Sequence, residues 1–197
     1  MNKEKPIIFS TDMLKAIKAG KKNQTRRVVK IPSWTWDKFN DLKLDEHGNL
    51  MAVSRKMGYP EAINQPYAVG DVLWVREAFS EVNDCVRYAY RADEPEVLWG
   101  DTKWKPAIHM PRNAARIFLW VVSIRAERLQ DISEEDAKAE GANLRDGKNV
   151  GFEEKMRRSE IERFADLWDG LNADRRLGWE VNPWVWVVEF ERVENYA

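Results

Sequence analysis

The run from Ala115 to Ile124 constrains the fold most, because its side chains are mostly apolar on both of the faces that a β-strand presents. A strand of this kind is covered on both sides, which predicts a central position in a sheet. A closing strand is predicted from Pro183 to Phe190, where aromatic and aliphatic side chains alternate onto one face. The sequence therefore predicts a fold organised around a buried sheet.

Length and composition predict one ordinary globular domain. The 197 residues suffice for one substantial core, and hydrophobic residues make up 44% of them. Ten tryptophans supply packing surface or, for a few of them, stacking platforms for bases. The formal net charge of −1 argues against a protein that coats nucleic acid through overall charge. Any contact with nucleic acid must therefore be local.

Cysteine usage and hydropathy indicate the cellular compartment of the protein. Cys85 is the single cysteine, so the chain forms no internal disulfide, and a reducing cytoplasm is the simplest compartment. A lone cysteine is more often a packed residue than a nucleophile. No apolar run approaches the length of a membrane span, and residues 1–6 lack the apolar centre of a signal peptide. We therefore expect a cytoplasmic protein that has no membrane partner.

Residues 20–27 concentrate polar and basic side chains at a predicted corner between a helix and a strand. Ser10 offers an N-cap oxygen to a short helix, and Gly20 ends that helix because glycine tolerates the left-handed conformation of a C-cap. The β-branched run from Thr25 to Ile31 then predicts a strand. Lys22 therefore lies on a rigidly anchored corner.

The rest of the chain alternates between strands, helices and irregular segments. Further strands are predicted over residues 6–9, 72–77 and 86–91, and helices over 137–140, after a Ser133 cap, and 152–171. Residues 32–66 show no sustained helical or strand period and are predicted to be an insertion, with a hairpin turn at residues 47–49. Two prolines in residues 103–112 predict an extended loop.

The spacing of Gly20, Lys22, Thr25 and Arg27 resembles the G-x-K-x-x-T-x-R signature of the ASCH family, a branch of the PUA-like β-barrels associated with RNA and modified nucleosides. Residues 67–75, 129–141 and 183–190 match further segments in family order. The whole chain resembles the longer ASCH-type proteins of phages and prophages. The resemblance implies an α+β fold: one domain, residues 1–197, with a PUA-like mixed β-barrel, flanking helices and a long insertion at about residues 32–66.

The resemblance also implies candidate catalytic residues. It includes a bacterial amidohydrolase that removes the acetyl group from acetylcytidine through a lysine, a threonine and a glutamate. Carried over position by position, these roles fall on Lys22, Thr25 and Glu140, while Asp136 stands where that relative has a histidine. Amide hydrolysis needs a nucleophile, a base and positive charge near the oxyanion. Thr25 can attack, and either a Lys22 of depressed pKa or Glu140 can be the base, so the assignment stays open.

Six further residues are predicted to contact a substrate: Arg27, Trp74, Arg76, Glu77, His109 and Arg112. Arg76 shares a strand face with Trp74 and can grip a phosphate or a base carbonyl, although an ion pair at the sheet rim explains it equally well. His109 lies in a loop segment typical of the phage ASCH-type proteins, and a histidine can transfer a proton near neutral pH. An exposed structural loop is the alternative.

Three functions follow from the sequence. The first is an ASCH-domain protein that binds RNA, a nucleotide or a modified nucleoside in the barrel cleft. The second adds hydrolysis of an N-acyl pyrimidine nucleoside such as acetylcytidine. If the protein is an enzyme, the sequence favours an amidohydrolase. The third is a phage protein that binds a host protein through residues 32–66. With two histidines and no paired spacing, we expect no metal and no other cofactor.

Overall fold

The computed structural model describes residues 3–30, 39–54, 60–82, 87–93, 103–142, 157–194 and 196. Its strands, in chain order, are β1 (Glu4–Ile8), β2 (Gln24–Val28), β3 (Phe39–Leu44), β4 (Leu50–Ser54), β5 (Pro60–Ala62), β6 (Val72–Arg76), β7 (Phe79–Val82), β8 (Arg87–Tyr90), β9 (Phe118–Arg128) and β10 (Trp184–Val193). Its α-helices are α1 (Thr11–Lys18), α2 (Glu134–Ala139) and α3 (Glu160–Asn172). The described residues form a mixed α+β fold in which strands predominate, as predicted.

The main sheet has five strands in the order β1, β6, β9, β10, β2. β1 and β6 are parallel, and the other neighbours are antiparallel. β9, which contains most of the apolar run predicted to be central, occupies the middle position. On one face, Val188 and Phe190 of β10 pack with the apolar side of α1, and on the other, Val185 and Val187 pack with α3. The sheet is therefore covered on both faces, as the apolar pattern of its central strand requires.

The closed barrel implied by the ASCH resemblance is not found among the described residues. The edge strands β1 and β2 are not hydrogen-bonded to each other, so this part of the sheet is open. Arg27 spans the gap, because its Nη2 donates to the carbonyl oxygen of Ile8 at 2.7 Å. A strand ladder would need the two backbones about 4.8 Å apart. A cavity occupies that position instead.

The corner between α1 and β2 forms as predicted. The Ser10 hydroxyl accepts a hydrogen bond from the amide of Met13 at 3.4 Å, and Gly20 has a φ of +68°, which glycine adopts without strain. β2 begins at Gln24 and ends at Val28, which is shorter than the predicted strand, although the Val29 amide still donates to the Trp184 carbonyl at 2.9 Å. β2 and the residue that follows it therefore lie along the cavity.

The predicted insertion contains a sheet of its own. β3, β4 and β5 form a three-stranded sheet, and the β3–β4 turn lies where the hairpin was expected, with Gly48 at a φ of +78°. Asp45 stabilises this turn by accepting from the amides of His47 and Asn49. The predictions for residues 32–38, 55–59 and Cys85 lie outside the described residues.

Two other segments differ from the sequence-based expectation. Residues 103–112 are not simply extended: short 3-10 turns form at Ala107–His109 and Arg112–Ala114, and Pro106 and Pro111 are their N-cap residues. α3 begins at Glu160 because Ser159 and Glu162 form a reciprocal capping box. The predicted helical residues 152–156 lie outside the described ranges. No helix in the described ranges is both long and apolar enough to cross a membrane.

Candidate functional site

A cavity of about 1530 Å³ runs along β2 at the open side of the main sheet. Its walls are the end of β1, the start of α1, β2, α3 and the segment that leads into β10. Most pockets for small molecules measure roughly 300–1,000 Å³. The cavity therefore has room for a ligand larger than one nucleoside.

The charged side chains that line the cavity are mainly cationic: Arg26, Arg27, Lys30, Arg128 and Arg175, with Glu140 as the described acidic group. Arg26 is paired with carboxylates, whereas Arg27, Lys30, Arg128 and Arg175 have no carboxylate partner within the described ranges. We call these four side chains the cationic wall. A protein with a net charge of −1 thus concentrates positive charge in its cavity, which favours an anionic ligand.

Arg27 is held at one end of the cationic wall. Its guanidinium carbon lies 5.3 Å from the centre of the Phe9 ring, and one nitrogen donates to the Ile8 carbonyl. Burial lowers the pKa of Arg27, and the charge of Glu140 is one of the influences that oppose this shift. An arginine nevertheless keeps its proton at physiological pH, and its guanidinium has five N–H donors. Arg27 can therefore bind a ligand oxygen without leaving Phe9.

Lys22 and Glu140 form a buried ion pair beside the cavity. The Lys22 ammonium donates to Glu140 Oε2 at 2.8 Å, to the Glu140 carbonyl at 2.8 Å and to the Gln24 carbonyl at 2.7 Å. Burial lowers the pKa of Lys22, and the Glu140 carboxylate opposes that shift. All three ammonium hydrogens have acceptors, so this geometry suits a charged Lys22 better than a Lys22 that takes up a proton.

Arg26 extends this pair into a larger buried cluster. Its guanidinium donates to Glu127 Oε1 at 2.6 Å, to Asp136 Oδ2 at 2.9 Å and to Glu140 Oε1 at 3.3 Å. We call Lys22, Arg26, Glu127, Asp136 and Glu140 the buried charge cluster. It ties β2 to β9 and α2, because its members come from or directly adjoin those elements. Sequence reasoning missed the structural role of Arg26, although its position inside the signature segment was a usable signal.

Asp136 performs a different task from the one that its place in a capping box predicts. Ser133 caps α2 by accepting from the Asp136 amide at 3.1 Å, as expected. The Asp136 carboxylate turns to the cluster instead, where it accepts from Gln24, Arg26 and Arg125. Desolvation would raise the pKa of Asp136, but the hydrogen bond from Gln24 and the two guanidinium charges outweigh it and lower the pKa.

The structure brings the three predicted catalytic residues to one region. Thr25 and Glu140 line the same cavity, and Lys22, behind the lining, contacts Glu140 directly. Thr25 is buried and lies on the face of β2 opposite to Gln24 and Arg26. Their catalytic roles remain predictions.

The other predicted contact residues divide into one at the cavity and five elsewhere. Arg27 lines the cavity, but these residues do not: Trp74, Arg76, Glu77, His109 and Arg112. Arg76 stacks on Trp74 at 5.4 Å and donates to the Ile108 carbonyl, and Glu77 is buried in an ion pair with Arg116 at 2.8 Å. Arg112 pairs with Glu4 at 2.6 Å, and His109 is exposed. The expected gathering of these five around one substrate is therefore not observed.

Sequence reasoning treated Trp184 as a strand residue and did not single out Arg128. Both line the cavity, and the Arg128 guanidinium lies 5.0 Å from the centre of the Trp184 ring. The Trp184 indole nitrogen is buried and has no acceptor among the described residues. The abundance of tryptophan was the available signal, but it did not single out this one.

Metal ligands do not gather at the site within the described ranges: no three His, Cys, Asp or Glu side chains are arranged to hold a metal ion there. The acidic groups of the buried charge cluster face arginine and lysine instead.

No protein-family model matches the chain, and neither does any curated protein. Among solved structures, the chain is similar to an ASCH domain from Lactobacillus crispatus JV V101, with 11% sequence identity. The match covers 96% of this chain and 79% of that chain, with a TM-score of 0.40. A similarity this weak carries no conclusion about function.

Proposed function

We propose that the cavity binds an anionic ligand that carries a base, namely a nucleotide or a short single-stranded RNA. The observation that carries the proposal is the cationic wall, in which four side chains without carboxylate partners in the described ranges face one cavity. Two partly exposed aromatic side chains, Tyr67 and Trp184, lie in the same lining, beside the buried rings of Phe9, Phe164 and Trp168. Proteins that bind single-stranded nucleic acid combine these two features, because cations hold phosphates and rings stack on bases.

The signature residues support the same interpretation. Thr25 and Arg27 of the ASCH-like signature line the cavity, and Lys22 anchors the strand that presents them. The buried charge cluster neutralises Lys22 and Arg26 internally, so these two cations need no ligand. Arg27 is therefore the cationic residue of the signature that is available to bind a phosphate of the ligand.

Calorimetric titration with the four ribonucleoside 5′-monophosphates and an oligoribonucleotide of four residues tests the proposal. Arg27→Gln should weaken binding about tenfold or more, because a hydrogen bond to a charged group contributes about 1.5–3 kcal/mol. Lys21→Gln removes the same charge from an exposed position outside the cavity lining and should leave affinity unchanged. The proposal fails if no ligand binds, or if both variants weaken binding equally.

Hydrolysis of an N-acyl pyrimidine nucleoside is the second candidate. The observation in its favour is the Lys22–Glu140 contact beside a cavity that Thr25 also lines. In this reaction the Thr25 hydroxyl attacks the acyl carbon and loses its proton to the base, the amine of the nucleoside leaves with a proton, and water then releases the acyl group from Thr25. Because the ammonium of Lys22 has three acceptors, we assign the base role to Glu140 and a through-space electrostatic role to Lys22.

Incubation with N4-acetylcytidine, followed by chromatography, tests this second function. We expect release of cytidine and acetate that falls at least a hundredfold in Thr25→Val, which keeps the shape of the side chain and removes the hydroxyl. Glu140→Gln should lower the rate similarly. Cytidine release that is equal in the wild type and Thr25→Val would exclude this mechanism, while binding without release would leave the cavity as a binding site.

A further inference from the structure

We propose that the ligand is a polynucleotide strand that runs along β2, from a first subsite at Thr25 and Arg27 to a second subsite formed by Trp184 and Arg128. This inference rests on the proposed nucleotide-binding function and narrows its ligand to a polymer. On this inference, a mononucleotide binds at the first subsite alone.

The cavity is longer along β2 than one stacked nucleotide. Trp184 lies beside Val29, because the Val29 amide donates to the Trp184 carbonyl at 2.9 Å. Thr25 and Val29 are four residues apart along β2 and its continuation, which corresponds to about 13 Å. Stacked nucleotides rise about 3.4 Å each, so about four of them span this distance. The cavity volume of about 1530 Å³ agrees with a ligand of that size.

The second subsite offers a stacking surface and a charge. Trp184 is half-buried and lines the cavity. Arg128 is exposed, and one of its nitrogens donates to the Asn182 carbonyl at 3.0 Å while the guanidinium stacks on the indole. A base can stack on this pair, and the other Arg128 donors can hold the adjacent phosphate.

The remaining members of the cationic wall supply charge for the strand. Lys30 directly follows the residue beside Trp184, and Arg175 lies beyond the end of α3, so the two approach the cavity from different elements. Both are exposed and neither has a carboxylate partner in the described ranges. A ligand with several phosphates uses this distributed charge better than a ligand with one.

A peptide is the competing occupant, because β2 is an edge strand and edge strands can accept another strand through backbone hydrogen bonds. The cationic wall favours the polynucleotide, since an uncharged extended peptide would leave four cations of the cavity without an anion. Peptide binding is therefore an outcome that the experiment must distinguish.

Calorimetric titration of the full chain with unlabelled oligoribonucleotides of one to eight residues tests the inference. Affinity should rise with each nucleotide up to about four and then level off. An abasic residue at each position of a tetranucleotide in turn should weaken binding about five- to 150-fold at the position that stacks on Trp184, the range expected for one base on an aromatic side chain. This scan needs no protein variant, so a folding defect cannot obscure it.

Protein variants locate the second subsite. Trp184→Leu and Arg128→Gln should weaken tetranucleotide binding at least fivefold and leave mononucleotide binding unchanged. Trp120→Leu, at a 37% exposed tryptophan of β9 outside the cavity lining, and Arg192→Gln, at an exposed arginine of β10, are the matched controls and should change neither. Thermal unfolding verifies that each variant is folded.

Each alternative result has a distinct meaning. Tetranucleotides that bind no more tightly than mononucleotides overturn the polymer inference and leave the proposed function standing. Failure of every nucleotide ligand overturns both. Tighter binding of an uncharged extended peptide than of the tetranucleotide assigns the edge of β2 to a protein partner and overturns the inference.

Discussion

Arg26 and Arg27 are neighbours in β2, yet they belong to regions of opposite character. Arg26 is fully buried and contacts three carboxylates, whereas Arg27 is half-buried and has no carboxylate partner in the described ranges. Successive residues of a strand point to opposite faces, so one short strand supplies both the buried charge cluster and the cationic wall. The contrast indicates that charge in this segment serves two purposes: anchoring the strand and binding a ligand.

The two regions also differ in what a lost charge should do. Removing one member of a buried pair leaves its partner charged in a poorly solvated place, which is strongly destabilising. Removing a cation from a solvated wall changes stability little but removes attraction for an anion. Stability and affinity measurements can therefore separate the two regions.

The largest expected effect is on stability. Glu140→Ala removes an acceptor from both Lys22 and Arg26, and we expect the free energy of unfolding to fall by about 3–5 kcal/mol in urea denaturation. Glu4→Ala breaks the exposed pair with Arg112 and is the matched control, with an expected change below about 1 kcal/mol. Equal losses in the two variants would contradict the distinction between the regions.

The second effect is the salt dependence of binding. If three or four members of the cationic wall hold phosphates of a tetranucleotide, the slope of log affinity against log salt should be about −2 to −3. Affinity should then fall about 20- to 50-fold between 50 and 200 mM salt, as calorimetry or fluorescence anisotropy can measure. A flat salt dependence would show that the wall does not contact phosphates.

The third effect is a pH dependence of stability that comes from Asp136. Its pKa lies below the ordinary value of 3.8, so the folded state prefers the ionised carboxylate. This contribution is complete well above pH 3.8, and it is lost as the pH falls through 3.8 and then through the lower folded-state pKa. Asp136→Asn should therefore be less stable than the wild type at pH 6, and this deficit should shrink below pH 4. A deficit that stays constant from pH 6 to pH 3 would contradict this explanation.

The smallest effect separates the wall from the cluster in a single variant. Arg175→Gln should change the free energy of unfolding by less than about 0.5 kcal/mol, because Arg175 is an exposed residue without a carboxylate partner in the described part of the chain. It should reduce the steepness of the salt slope for tetranucleotide binding by about 0.7. Arg176→Gln, at the exposed neighbour that does not line the cavity, should leave the slope unchanged.

Local patterns predicted the framework of the fold well. The central position of β9 followed from its two apolar faces, and the corner before β2 followed from a capping serine and a glycine with positive φ. These features depend on neighbours in sequence, which is why one sequence suffices to predict them. The contact between Lys22 and Glu140 is different: its partners are 118 residues apart, and the family resemblance, rather than any local pattern, suggested that they belong together.

The remaining site features depend on how distant segments approach each other. Arg76 and Arg112 resemble Arg27 in their sequence surroundings. The residues next to them do not indicate that Arg76 contacts the Ile108 carbonyl or that Arg112 pairs with Glu4. From sequence alone, Trp184 is one of several tryptophans predicted to lie on a core face. Its position at the cavity results from the β10–β2 pairing and from the open sheet. The closed barrel was expected from resemblance, and the open edge of β2 could not be predicted from strand patterns.

The gap between β1 and β2, crossed by the hydrogen bond from Arg27 to Ile8, has a dynamic consequence. Amides on the outer edge of β2 have no ladder partner among the described strands, so they should exchange with deuterium much faster than those of the central β9. A ligand bound in the gap would restrain both edge strands of the sheet, β1 and β2, at once. Slower exchange along β1 and β2 together would then report occupancy even for a ligand that triggers no chemistry.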